Sequence, residues 1–322
     1  MNRPLFAFLM FLPALSLAAV ANDSIATLGA GGLILVRADT ITMEKEDLFV
    51  SLGEVRVNYR FRNNSAEDRT YLVAFPMPEI DPQNYLESDI SVPDRNQENF
   101  MNFAVAVAGI KIKPNLEMRA LSGGLDITDI VTKLGLPLNP LADATRKAVG
   151  ALPREKLEPL LAMGAIAVDD NGAAPAWSLK STYYWQQKFP AKAALAVTHT
   201  YTPAAGATFY YESTDNAGTL ARDFCIDAGT AKAIARKIAA GSKDSPYLMQ
   251  RTIDYILTTG ANWQGAIGDF RLVVDKGAPE AIVSFCMEGV NKISPTQFEV
   301  RKTDFYPTDE LHILLLNSPN PG

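Results

Sequence analysis

The chain has 322 residues, 48% of them hydrophobic and 20% charged, so it can bury a sizeable core and is not a disordered tail. Lys and Arg number 30 against 36 Asp and Glu, a formal charge of -6 with no long block of either sign, so a nucleic-acid partner is not expected. The only histidines are His199 and His312 and the only cysteines Cys225 and Cys286, too few soft ligands for a zinc site, and no metal or cofactor site is read from the sequence.

Met1 to Arg3 form a short positive start, Leu5 to Leu17 an apolar run broken by Pro13 and Ser16, and Ala19-Val20-Ala21 a small-residue cleavage site. This pattern predicts a signal peptide over residues 1–21, cut between Ala21 and Asn22. The apolar run is shorter than the roughly 20 residues a membrane span needs. Later in the chain the most apolar stretch, Ile313 to Leu316, has the length of a strand, so no transmembrane segment is expected in the mature chain. In an exported chain an even, small cysteine count reads as a disulfide, here Cys225 with Cys286.

Leu33 to Met43 and Asp47 to Leu52 carry strand composition. Val55, Val57, Tyr59 and Phe61 alternate with polar residues from Glu54 to Arg62, the signature of a half-buried strand. Asn63 to Asp68 is turn chemistry, and Tyr71, Val73 and Phe75 resume the alternation before Pro76-Met77-Pro78, so the two strands are expected to form a hairpin. Phe103 to Lys113 reads as a further strand. From Asp126 the pattern turns helical: Ile127, Ile130, Val131 and Leu134 share one helix face behind a capping Asp, and Pro140 to Val149 and Pro153 to Met163 each begin with proline and are followed by glycine. Residues 126–164 are therefore expected to form a small helical insertion. Strand character returns in Leu179 to Phe189, Ala193 to Thr202 and Phe209 to Tyr211. One more helix is expected at about 229–240, then strands at Arg251 to Thr258, Gly268 to Asp275, Ala281 to Met287, Gln297 to Thr303 and Leu311 to Leu316. The expected fold is mainly β, with two β-sandwich-like halves: an N-terminal domain over 22–222, a C-terminal β-rich domain over 223–317 and a tail over 318–322.

Few residues suggest chemistry. Gly29-Ala30-Gly31-Gly32 precedes a strand, whereas a phosphate loop follows one and opens a helix. Glu44-Lys45-Glu46-Asp47 and Asp169-Asp170 read as solvated turns. His199 shares strand parity with Leu195, Val197 and Tyr201 and is expected to be packed and hydrogen-bonded in preference to serving as a base. No Gly-x-Ser-x-Gly elbow is present, and no catalytic residue is assigned. The aromatic residues Tyr183, Tyr184, Trp185 and Trp263 could offer a ligand or partner surface; Tyr210 and Tyr211 are of the same kind, and ordinary core packing is the preferred alternative for the whole set.

Several separate motifs, in order, resemble one family. They are Asn22-Asp23-Ser24, Leu28 to Leu33, Val57-Asn58-Tyr59-Arg60-Phe61-Arg62-Asn63, Phe75-Pro76-Met77-Pro78, His199-Thr200-Tyr201-Thr202-Pro203, Leu257 to Trp263, Gly268-Asp269-Phe270-Arg271-Leu272 and Lys292-Ile293-Ser294-Pro295. They are similar to the bacterial exported proteins called domain of unknown function 4424, and Phe75-Pro76-Met77-Pro78 alone resembles the start of vault and inter-alpha-trypsin type domains. The first resemblance implies an exported β-rich protein of Gram-negative bacteria, hence the periplasm, with no activity or cofactor to carry over. The expectation is a non-enzymatic structural or protein-interaction module with an envelope partner. The alternatives are a glycan- or small-ligand-binding protein using the aromatic surface and a cell-envelope enzyme.

Overall fold

A computed structural model describes residues 23–29, 32–82, 89–170, 172–211, 217–241 and 247–319. The proposed leader and its junction at Ala21 and Asn22 lie outside the described residues. The fold is mainly β, 47% strand and 17% helix.

Three large sheets stack around one continuous apolar core. The first has six strands, centred on Ser178–Phe189 between Asn115–Ser122 and Arg69–Pro76, with Ser24–Gly29 and Gly32–Val36 beyond. Eight strands form the second, where Ile41–Val50, Val55–Asn63 and Ala194–Tyr201 lie side by side. The third has five: Ile282–Phe285, Leu311–Asn317, Leu248–Tyr255, Ala205–Tyr210 and Asp89–Ser91. Strands from either side of residue 222 mix in two of these sheets. Ile267–Asp275 pairs in parallel with Ile41–Val50, and Leu248–Tyr255 pairs with Ala205–Tyr210, so the sheets are not partitioned at that residue.

Alternation explains most of this, and its exceptions are instructive. Val55–Asn63 buries every second residue. The next strand, Arg69–Pro76, does not fold back on it as a hairpin. Both edges of Val55–Asn63 are taken by Ile41–Val50 and Ala194–Tyr201, while Arg69–Pro76 joins the facing sheet. Asn63 holds the crossing: it is fully buried, and its Nδ2 donates to the carbonyls of Glu67 and Phe189. Phe61 and Phe189, 6.0 Å apart edge to face, pack across the gap between the sheets.

Glu44-Lys45-Glu46-Asp47 is a second correction, because it lies inside a ten-residue strand and is not a turn. A bulge between Met43 and Lys45 switches the strand's parity, so Ile41 and Met43 face the core before it and Glu46, Leu48 and Val50 after it. Glu44 meets Arg60 and Arg62, and Asp47 meets Arg271. Gly268 allows the close approach: a Cβ there would lie 2.8 Å from the Glu44 carbonyl oxygen. Residues 37–40 separate Gly32–Val36 from Ile41–Val50, so Leu33 to Met43 is not one strand, and Phe103 to Lys113 is a tight hairpin of Ala104–Val107 and Ile110–Ile112.

The helical insertion consists of Thr128–Lys133, Asp143–Gly150 and Arg154–Ala162. The second of these starts after a turn in which Asn139 accepts from the Leu141 N–H, and not at Pro140. Val131, Val149, Leu160 and Trp177 form its own small core, and Trp177 Nε1 donates to the Leu138 carbonyl. Ala217–Asp223 and Ala228–Ala239 cover the outer face of the third sheet through Phe224 and Ile234, which pack with Leu314 and Leu316.

Candidate binding cleft

The proposed aromatic surface divides on folding. Trp185 and Trp263 are core residues at 4% and 1% exposure, the preferred core packing, and are not available as a ligand surface. Trp263 Nε1 donates to the Asp23 carbonyl, and its ring lies 4.4 Å from that of Phe61. Tyr183 is also buried, stacked on Phe103 at 4.2 Å with its hydroxyl donating to Asn99. Burial, with the Glu98 charge behind it, raises the Tyr183 pKa. Tyr183 and the half-buried Tyr184 line a hollow of about 570 Å³ at the mouth between the first two sheets. Of the four aromatic residues proposed, only these two share a site.

His199 lies deep in the core, ringed by Tyr59, Phe75, Phe103 and Trp185. It is packed as expected, but its Nε2 stands 3.6 Å from Asp23 Oδ2, beyond hydrogen-bond length. Burial lowers the His199 pKa to about 3, while burial and then the Glu46 charge hold Asp23 well above the ordinary carboxyl range. Proximity alone would suggest an ion pair. Desolvation of both charged forms outweighs that attraction in a ring-lined site, so the contact is a neutral one. With no exposed face, His199 is placed for structure and not as a base.

A larger cleft, about 1000 Å³, opens where the second and third sheets diverge. Its back is the segment running out of Ile282–Phe285, the terminal strand of the third sheet. One wall is the start of the helix Ala228–Ala239 with Cys225, Asp227 and Thr230; the other is the strand Gln297–Phe305, contributing Phe298, Lys302 and Phe305. Cys225 and Cys286 are joined in a disulfide at the rim, with Cα atoms 5.0 Å apart and both residues exposed. Asp304, at φ 50°, breaks the alternation of its strand, so Phe305 packs on Phe270 at 4.6 Å.

Polar groups in the lining differ in their engagement. Asp227 caps its helix by accepting from the Thr230 N–H. Glu310 accepts from the Leu257 and Thr258 N–H groups and from the Thr258 hydroxyl, and Asp309 accepts from the Thr308 hydroxyl. Lys292, Lys302 and Glu288 make no ion pair among the described residues. Nothing in the cleft resembles a nucleophile with its base, and among the described residues no group of three or more His, Cys, Asp or Glu side chains is placed to hold a metal. Sequence reasoning found its disulfide but missed the rest, because Phe285, Phe298 and Lys302 each read as an ordinary strand residue.

The molecule is thus a β-sheet protein with one shared core and an open, mixed-polarity cleft, and no helix of the described residues is long and apolar enough to cross a membrane. The chain belongs to the family described as Domain of unknown function (DUF4424), whose family model matches residues 21–314. Among solved structures it is similar to a Legionella pneumophila protein provisionally described as nutrient binding, at 17% identity and a TM-score of 0.48, covering 92% of this chain and 70% of that one. That likeness is too distant to carry an argument about either fold detail or ligand. A search of curated proteins found no match. The local likeness of Phe75-Pro76-Met77-Pro78 to vault and inter-alpha-trypsin type domains is not supported by these matches.

Proposed function

We infer that this is an exported cell-envelope protein that works by binding, not catalysis, and that the cleft beside the Cys225–Cys286 disulfide is its binding site. The observation that carries the reading is the cleft itself. At about 1000 Å³ it lies at the upper end of the size of ligand sites, and it combines apolar side chains with lysines that make no ion pair among the described residues. Export is supported by the leader pattern of residues 1–21 and by a disulfide, which belongs to an oxidising compartment such as the periplasm. The hollow at Tyr183 and Tyr184 is smaller, and its Tyr183 hydroxyl is already engaged by Asn99.

Site-specific photocrosslinking in living cells tests the reading. A photoreactive residue at Met287 or Lys302 should give a discrete adduct, whereas one at exposed Lys111 should not. Equal labelling at all three positions, or none at the first two, would defeat it. The N-terminal sequence of the protein recovered from the periplasmic fraction tests export: it should begin at Asn22, and recovery of intact residues 1–21 in the cytoplasm would refute it.

A further inference from the structure

The disulfide at the cleft rim has a companion on the outer face of the third sheet. Ile282–Phe285 pairs with Leu311–Asn317 so that Ser284 lies opposite Leu314 and Phe285 opposite Ile313. One step further along the two chains come Cys286 and His312, and on its other side His312 is paired with Asp254. Ser284 Oγ donates to the Phe224 carbonyl and Leu314 packs with Phe224 and Ile234, so these two residues face the helices Ala217–Asp223 and Ala228–Ala239. Cys286 and His312, two residues on from Ser284 and Leu314, fall on the same face at the margin of the helical layer. There Cys286 Sγ stands 3.6 Å from the carbonyl oxygen of Asp223, the last residue of the first of these helices.

Three properties set this disulfide apart from a buried cross-link. Both cysteines are exposed, so a thiol can reach the sulfurs. Cys225 is held at φ 51°, a left-handed conformation that is costly for a residue other than glycine. A protonatable pair stands beside it: His312 Nδ1 lies 2.6 Å from Asp254 Oδ1, and both side chains are about half exposed. The Asp254 hydrogen bond outweighs partial burial and, with the charges of Asp254, Glu310 and Asp223, raises the His312 pKa. Arg222, paired with Asp223 at 2.9 Å, is the opposing charge on the helical side. His312 is thus biased toward the imidazolium next to Cys286, the setting that favours a thiolate.

We propose that Cys225–Cys286 is a thiol–disulfide exchange site whose reductant is a dithiol, with His312 as its proton donor and Asp254 positioning His312. A thiolate of the dithiol, its proton released to solvent, bonds to Cys225 Sγ. The bond between the two cysteines breaks, and its electron pair leaves on Cys286 Sγ, which takes the proton of His312 Nε2. The second thiol of the dithiol returns a proton to His312, attacks the partner sulfur bonded to Cys225 and expels Cys225 as a thiolate, which takes a proton from solvent. The protein disulfide is reduced to two thiols and the dithiol is oxidised to a disulfide; the same steps run backwards with a disulfide as oxidant. Reduction unties the helical layer from the strand end at the cleft rim, an event separate from whatever the cleft binds.

The test uses the mature protein, folded and oxidised, with dithiothreitol as the dithiol; thiols are trapped with a maleimide and counted by mass. Wild type should be reduced in its native state, at a rate that does not rise with urea below the unfolding transition. His312→Gln should slow reduction about tenfold near neutral pH, the loss of one charge-assisted hydrogen bond to the leaving thiolate. That ratio should close as pH rises and His312 gives up its proton. Asp254→Asn should slow reduction less, and should lower the His312 pKa followed by NMR. A glutathione adduct, quenched in acid, should map to Cys225. If wild-type reduction follows the unfolding equilibrium, the bond is a structural cross-link and the proposal fails. If both variants are reduced at the wild-type rate, or the adduct lies on Cys286, the roles given to His312 and Asp254 are wrong.

Discussion

Replacing Asp23 by Asn should change the shape of the stability profile with pH, not merely its height. In the folded protein Asp23 and His199 are fully buried and 3.6 Å apart, the carboxyl raised well above 3.8 and the imidazole lowered from 6.5 to about 3. Between those ordinary values, 3.8 and 6.5, the folded pair holds one proton, on Asp23. The unfolded chain also holds one, on His199. Folding moves the proton without changing the count, so the pair contributes no slope in that window. Above 6.5 the unfolded chain releases its proton, and over whatever range the raised folded carboxyl still holds its own, stability falls as pH rises. Below 3.8 the unfolded chain takes a second proton that folded His199 refuses until about 3, so stability falls again as pH drops.

In Asp23→Asn the carboxyl's part vanishes. The unfolded chain still protonates His199 below 6.5, and the folded chain still excludes that proton down to about 3. One proton per molecule corresponds to about 1.4 kcal/mol per pH unit, so from pH 6.5 to about pH 5 the variant should lose about 2 kcal/mol relative to wild type. Above 6.5 it should lack the wild-type decline. Urea denaturation of both proteins across this range measures the difference directly, and carboxylates not coupled to Asp23 cancel in it. If the two proteins keep the same slope between about pH 5 and pH 6.5, Asp23 does not hold the proton and the neutral pair is wrong.

Three further outcomes follow from packing and covalent structure. Replacing Cys225 and Cys286 together by Ser should cost about 4 kcal/mol on the chain-entropy model for a separation of 61 residues, read as a lower urea midpoint that dithiothreitol no longer changes. Gly268→Ala should cost about 1–3 kcal/mol, since its Cβ would meet the Glu44 carbonyl at 2.8 Å, whereas Gly53→Ala, with nothing within 4 Å, should stay within about 0.5 kcal/mol of wild type; equal melting temperatures for the two variants would contradict the bulge geometry. Trp185→Ala should lower stability by about 3–5 kcal/mol and leave the crosslinked adduct at Met287 or Lys302 unchanged; a stable variant that lost the adduct would return Trp185 to a surface role.

Regular periodicity made much of the fold legible. Strands such as Ser178–Phe189 and Leu311–Asn317 and the helix Ala228–Ala239 lie within a residue or so of where alternation and helical spacing place them. The misreadings share one cause: a local pattern was interpreted without its distant partner. Glu44 to Asp47 looks like a solvated turn because a bulge breaks the alternation there. In the fold the segment is a strand paired on one side with Val55–Asn63 and on the other with Ile267–Asp275, more than two hundred residues away in the chain. Asn63 to Asp68 has hairpin chemistry, yet the flanking strands belong to different sheets, since each finds better partners elsewhere. Trp185 and Trp263, for which core packing is the preferred reading, face a core whose opposite wall is contributed by other parts of the chain.

The cleft carries the same point further, because its back is the terminal strand of a sheet. Sequence identifies Ile282–Phe285 as a strand from its composition, but being an edge is a property of sheet order, decided when Leu311–Asn317 takes one side and no strand among the described residues takes the other. Its neighbours are equally scattered: Cys225 lies upstream beside a helix, Lys302 on a strand of another sheet, and neither belongs to a local motif. A cleft assembled from such distant elements leaves no motif along any one of them. That is why the aromatic residues singled out in the sequence lie mostly in the core, while the uncharged four-residue strand Ile282–Phe285 backs a cleft of about 1000 Å³.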